Sequence, residues 1–285
     1  MTTTAKIIAD SISEAGARIT TLELEFPRFL LAQFNTHRQF SRSAQSSRAV
    51  PVQKMIDALK DDNEPLSFMK NTSGMQSSEH LNDDDYFSAF RCYKNAKADA
   101  VKWAINLNTI GVHKQWANRL IEPFATVKVV VTATEWENFF KLRLHHAAQP
   151  EMQELAQAMK TAMDESTATW LSNAEWHLPY LTDEEEGGSE IDSFEKLRLI
   201  SAARCARVSY LNHDNSQPDI KKDLELAQRL LADKHLSPFE HQAYPISDLN
   251  SFEDGVTHAS FEFRSHEMWS GNFRGWIQHR QLVDL

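Results

Sequence analysis

The chain has 285 residues, of which 41% are hydrophobic and 25% charged, and a formal net charge of −10. That length can bury one large core or two modest ones. The negative balance excludes general binding to DNA or RNA backbones, but a mononucleotide needs only a local basic pocket.

In chain order, the first strand expected is 19–26, where Leu22, Leu24 and Phe26 alternate with polar residues. It leads into the stretch 33–48, which sets Arg38, Arg42 and Arg48 beside the hydroxyls of Ser41, Ser43, Ser46 and Ser47. Guanidinium forks and hydroxyl donors gathered on a short loop suit phosphate oxygens, because charge-assisted contacts are the strong ones. The plainer reading is a solvated Ser-rich surface loop. Apolar Phe29, Leu30, Leu31, Phe34 and Phe40 run into and through the stretch and anchor it on something buried.

A polar insertion follows at 61–85, then a helical pattern at 86–107. Arg119-Leu120-Ile121-Glu122-Pro123 precedes a β-branched strand at 126–132. A long helical pattern covers 134–171, punctuated near Pro150. On it Trp136, Phe139, Phe140, Arg143 and Ala147 fall on one stripe at three- and four-residue spacing. A cation on an apolar stripe is costly unless paired, so Arg143 is either half of a buried ion pair or a ligand-facing group.

Acidic residues and paired glycines at 181–192 read as an exposed connection. It divides 1–180 from 193–285. Beyond it come Cys205-Ala206-Arg207-Val208-Ser209-Tyr210, a helix at 219–234, His235-Leu236-Ser237-Pro238-Phe239-Glu240-His241 and a strand at 257–263. The word His-Arg-Gln occurs twice, at His37-Arg38-Gln39 and at His279-Arg280-Gln281, each after a similar strand-and-helix lead-in. An internal repeat is therefore expected. The mixture reads as an α+β fold in which the two segments complete one composite fold or two tightly joined halves.

Two cysteines form neither a disulfide framework nor a zinc pattern, which fits a reducing cytoplasm. No apolar run approaches a membrane span, and the first residues lack the apolar core of a signal peptide. Twelve histidines show no spacing of the His-Glu-x-x-His kind, and His145-His146 reads as a surface pair, so no metal site is expected.

These motifs resemble the flavin-dependent thymidylate synthases. That family carries Arg-His-Arg, seven residues, then Ser, with a Gln three positions before and an Arg two positions after the Ser. Gln33, His37, Arg38, Ser46 and Arg48 fall on those positions, whereas Thr36 stands where the first Arg belongs and Ala44-Gln45 replace an acidic residue. Arg119 with Pro123, then Arg143 with Ala148-Gln149-Pro150-Glu151, match the family's later motifs. The Ser237-Pro238-Phe239-Glu240-His241 element matches a segment that precedes Arg-His-Arg in the family, so the order of parts resembles a circular permutation.

The resemblance implies conversion of dUMP to dTMP, with carbon from methylenetetrahydrofolate and reduction by NADPH through FAD. It implies that Arg143 is catalytic and binds substrate with Gln33, Ser46, Ser47, Arg48 and Arg119. His37, Arg38, Gln39, Asn138, Ser237 and Glu240 would surround FAD. A homo-oligomer, dimer or tetramer, is implied as well. Two other activities fit the same motifs: a pyrimidine nucleotide C5 hydroxymethylase acting on dUMP or dCMP, and a noncatalytic nucleotide-binding homologue.

Overall fold

The structure, a computed structural model, describes residues 3–59, 67–73, 77, 79–188, 191, 193–210, 216–246 and 269–283. Its centre is a five-stranded sheet of β1 (Thr4–Ser13), β2 (Arg18–Pro27), β3 (Ser41–Ala44), β4 (Thr126–Ala133) and β5 (Thr169–Leu171), in the order β3-β4-β2-β1-β5. Neighbours are antiparallel except β1 and β5. β1 and β2 form a hairpin whose turn places Gly16 at φ +80°, a conformation glycine adopts without a Cβ clash.

The alternation of β2 sorts its side chains between the two faces. Leu22, Leu24 and Phe26 join Val127, Val129 and Val131 of β4 on one face. The one-turn helix α1 (Leu31–Phe34) and the helices α5 (Glu137–Arg143) and α6 (Pro150–Glu165) cover that face. α6 presents Met152, Leu155, Ala156 and Met159, a helical stripe in full contact with the core. Between these elements in the chain lie α2 (Val52–Ala58), α3 (Asp83–Thr109) and α4 (Lys114–Ile121), which share a satellite core of Val52, Ile56, Ala104, Ala117 and Ile121.

The helical pattern at 134–171, punctuated near Pro150, is two helices and a strand. Pro150 occupies the first position of α6, where a missing N–H costs nothing, and it holds Gln149 extended. Residues 169–171 leave the helix to pair with β1. The acidic stretch at 181–192 contains α7 (Asp183–Gly187), closed by a capping box between Thr182 and Glu185. Glu185 also turns inward to meet Arg204, so this segment is docked.

The polar face of the sheet is covered too. α8 (Phe194–Arg207) lies over it, with Cys205, Val208 and Tyr180 packed on Val130, and α9 (Ile220–Ala232) packs on α8. Three short strands, β6 (Ala243–Pro245), β8 (Phe273–Arg274) and β9 (Trp276–Gln278), bring Ala243, Phe273 and Trp276 onto Ile19; β7 (Trp269–Ser270) pairs with β8. β9 runs directly into α10 (His279–Val283). The residues before His37 are thus helix and turn, whereas those before His279 are strand, because Trp276 and Ile277 are buried against β6. The expected strand at 257–263 and most of the insertion at 61–85 lie outside the described residues.

A row of buried hydrogen bonds joins this second layer to the sheet. Ser43 Oγ lies 3.1 Å from His241 Nε2, and His241 Nδ1 lies 2.9 Å from Thr132 Oγ1. Thr132 and Thr21 hydroxyls are 2.7 Å apart, Thr21 meets His177 Nε2 at 2.8 Å, and His177 Nδ1 meets Ser11 at 2.9 Å. One direction of donation satisfies the whole row if both imidazoles are neutral, since each then has one donor and one acceptor. Burial enforces that state, holding both histidines down at about 3, although Asp10 pulls His177 the other way.

A folded-state value below the unfolded one means stability is complete above about pH 6.5 and is lost as the pH falls toward 3. Each of the two histidines contributes a loss of up to about 1.4 kcal/mol per pH unit in that window. The melting temperature should therefore fall steadily between pH 6.5 and 4.5, and less steeply in His241→Gln. A flat profile over that range in the wild type would remove the neutral-imidazole account.

Candidate functional site

The strongest concentration of unusual chemistry sits where α1, β3 and α5 meet. Phe34 and Phe40 bracket the intervening turn and are pinned from below by Phe139 and Trp136, with ring centroids 4.6–5.9 Å apart. The turn closes through His37 N–H to Phe34 O and Phe40 N–H to His37 O, both 3.2 Å. These contacts fix the backbone and leave the His37 ring stacked on Phe40 and edge-on to Phe139.

Arg143, in the last turn of α5, reaches this turn. Its Nε donates to His37 Nε2 at 2.9 Å and its Nη2 to Thr36 Oγ1 at 3.5 Å. Arginine has no acceptor, so His37 must offer a bare Nε2 and carry its proton on Nδ1. The electrostatics agree: burial first, then the charges of Arg143 and Arg42, lower His37 to about 4. From β3, Arg42 donates to the carbonyl of His37. Burial lowers both guanidiniums, and neither forms an ion pair among the described residues. The acid that would make Arg143 half of a buried ion pair is thus absent among the described residues, and its partner is a neutral histidine.

The second layer contributes the other wall. The 3-10 turn Ser237–Glu240 packs on β3. Glu240 is bound by Arg280, and its charge acts on Arg42. Gln278 donates to the Glu240 carbonyl and to Ser41 Oγ, both at 2.9 Å, tying this turn to β3. The side chains of Arg38, Gln39, Asn138 and Ser237 are exposed here and make no hydrogen bond among the described residues.

The remaining expected residues collect at the opposite end of β3. Gln45 N–H donates to Lys128 O at 2.8 Å, and the chain then turns through Ser47–Ala49 onto α4. Asn118 holds that turn by donating to Ser47 O at 2.8 Å and Val50 O at 2.9 Å. Ser47 is buried and its hydroxyl is donated to Glu122, so it braces the turn and has no donor left for a ligand. Glu122 also faces Arg28 at 3.4 Å and Arg119 at 4.0 Å. Ser46 and Arg48 are exposed beside it.

Two groups therefore exist: His37, Arg42 and Arg143 with Glu240 at one end of β3, and Ser46, Arg48 and Arg119 at the other. A four-residue strand separates them by roughly 10 Å along the backbone. Gln33 lies on the first side, its carbonyl accepting from Thr36 Oγ1 at 2.7 Å. Sequence reasoning missed the bracing residues Asn118, Glu122 and Gln278. Asn118 left one trace, a polar residue on the apolar stripe shared by Ala117 and Ile121.

Comparison with known proteins bears on this arrangement. The sequence profile of the family described as thymidylate synthase complementing protein matches residues 17–167, from β2 through α6. No curated protein matches the chain by sequence. Among solved structures, two of the UMP/dUMP methylase PolB from Streptomyces cacaoi are similar. The one bound with 5-Br UMP has a TM-score of 0.47 and 17% identity over 57% of this chain and 89% of that chain. The one bound with 5-Br dUMP has a TM-score of 0.48 and 16% identity over 57% and 90%.

Proposed function

Because the chain belongs to the thymidylate synthase complementing protein family, the flavin-dependent thymidylate synthases, we propose that it transfers a one-carbon unit from methylenetetrahydrofolate to C5 of dUMP, giving dTMP. The observation that carries this reading is the Arg143 guanidinium, held against a neutral His37 with no carboxylate paired to it among the described residues. Carbon transfer to C5 requires electron density on the uracil ring, and negative charge gathers on the oxygens of its amide edge. A preorganised, partly desolvated guanidinium is suited to stabilise that charge. His37 fixes the fork's orientation from the side and cannot compete for the charge, because it is neutral.

The side chains near the turn suit FAD. Arg38, Gln39, Asn138 and Ser237 offer polar atoms unengaged among the described residues, beside an Arg42 that forms no ion pair there, a donor set that matches a pyrophosphate with polar flanks. When bound, FAD would supply reducing equivalents drawn from NADPH. His37 would contribute its ring face and Glu240 would hold the Ser237 turn in place through Arg280.

Ser46, Arg48 and Arg119 would hold the nucleotide phosphate and sugar, with Gln33 close to the base. Their distance from Arg143 within one chain suits a site completed by a second copy, in keeping with the family's homo-oligomers. The segment 193–285 would supply the flavin-side part in permuted order; its docking on β3 beside His37 supports that reading.

Incubation of the purified protein with dUMP, methylenetetrahydrofolate, NADPH and FAD should yield dTMP by mass spectrometry, with NADPH consumed in proportion. A hydroxymethyl product, or turnover of dCMP instead, would replace this reading with the hydroxymethylase. Nucleotide binding without any product would leave a noncatalytic homologue.

A further inference from the structure

We infer that Arg42 binds a phosphate group and does the work of the cation missing at position 36. The identity of the ligand rests on the function proposed above; the anion site itself rests on geometry.

Thr36 cannot serve as a phosphate donor in its present setting. Its hydroxyl proton is spent on the carbonyl of Gln33 at 2.7 Å. Arg42 reaches the same turn from β3, donating one N–H to the carbonyl of His37, the residue next to Thr36. A guanidinium has five N–H donors in a fixed fork, so most of its donor capacity remains. The side chain is half-buried and makes no ion pair among the described residues. Glu240 is the acid whose charge acts on it, yet Glu240 is bound by Arg280. Arg42 at the carbonyl of His37 and Arg143 at its ring are thus two partly desolvated cations with no ion pair among the described residues, in a chain of net charge −10. Partial burial without a paired anion is costly, and an oxyanion with several acceptors removes that cost. The ligand chemistry is phosphate, from the nucleotide monophosphate or from the pyrophosphate of a dinucleotide cofactor.

The test compares each phosphate-bearing ligand with its phosphate-free counterpart, dUMP with deoxyuridine and FAD with riboflavin, by calorimetric titration of wild type, Arg42→Gln and Arg42→Lys. Arg42→Gln should weaken dUMP or FAD by about 10- to 100-fold, the range for a hydrogen bond to a charged group, while its phosphate-free partner binds as before. Arg42→Lys should recover part of the loss. A loss at dUMP places the nucleotide phosphate on Arg42, and a loss at FAD places the pyrophosphate there.

Equal weakening within both pairs would mean that Arg42 only braces the His37 turn, and no weakening would mean it does neither; both outcomes overturn the inference. If the wild type binds neither dUMP nor FAD, the proposed function fails, and inorganic pyrophosphate alone then decides Arg42. A rise in melting temperature in wild type that Arg42→Gln abolishes sustains the anion site, and any other result removes it. Should Arg42→Gln fail to fold, Arg42→Lys carries the comparison, with a phosphate-specific loss of several-fold expected because the fork is gone while the charge remains.

Discussion

Arg143→Ala should lower turnover by about 100- to 1000-fold, the cost of removing a preorganised group that stabilises developing charge, while leaving the fold in place. The small effect on stability follows from the contacts. Arg143 is only partly buried and makes two side-chain hydrogen bonds, one of them at 3.5 Å. Losing them should cost about 1 kcal/mol, offset by relief of a desolvated cation. Arg143→Lys should remain deeply impaired, because a compact ammonium lacks the planar fork that presents one edge to His37 and another to a ligand. A second readout comes from His37. Since the charge of Arg143 helps to lower it, its titration should move upward in Arg143→Ala, which NMR of the imidazole would report.

Mixing Arg143→Ala with Arg48→Ala should restore about a quarter of wild-type turnover in a two-fold dimer whose sites take one residue from each copy. Wild-type turnover in Arg143→Ala alone would sink the proposed role, and failure of the mixture would confine the site to a single chain.

Asp223→Ala should be strongly destabilising. Arg204 and Asp223 have side chains at 0% exposure, and Arg207 at 7%. Asp223 accepts from Arg204 Nε at 2.9 Å and from Arg207 Nη1. Arg204 continues to Glu185 at 2.6 and 2.8 Å and to the Tyr180 carbonyl at 2.8 Å. Removing Asp223 leaves the buried Arg207 guanidinium without its carboxylate and takes one of two carboxylates from Arg204, and breaking a buried pair in this way costs about 3–5 kcal/mol. The melting temperature should drop by roughly 10 °C at 2–4 °C per kcal/mol.

The consequence extends to the candidate site. α8 carries Ser201 and Cys205, which hold Gln242, and Gln242 adjoins the Ser237 turn beside β3. Glu185→Gln should cost less, since Arg204 keeps Asp223 and the Tyr180 carbonyl. A melting temperature for Asp223→Ala within 2 °C of wild type would show that the network contributes little.

Local periodicity along the chain specifies several elements of this protein. The alternation at 22–26 and the β-branched run at 126–132 specify strands with one apolar face, and Met152, Leu155, Ala156 and Met159 specify a helix stripe. Arg143 was legible as an anomaly because a cation on an apolar stripe demands a partner. Its partner was not legible: His37 lies 106 residues away, and no local pattern encodes a contact across that separation.

β1 was missed because Ile7, Ile8 and Ala9 follow one another and blur the two-residue period. The alternation of β2 does not say what its polar residues meet, and the second layer buries Thr21 and part of Glu23. Whether a polar strand face meets water or a satisfied hydrogen-bond network depends on elements that return from elsewhere in the chain, here His177 and His241. Local sequence thus decided what each element is and which side of it must be buried. What buries it was settled by the elements that pack from afar, and so was which cations pair with a carboxylate among the described residues, since charge compensation depends on distance in space rather than along the chain.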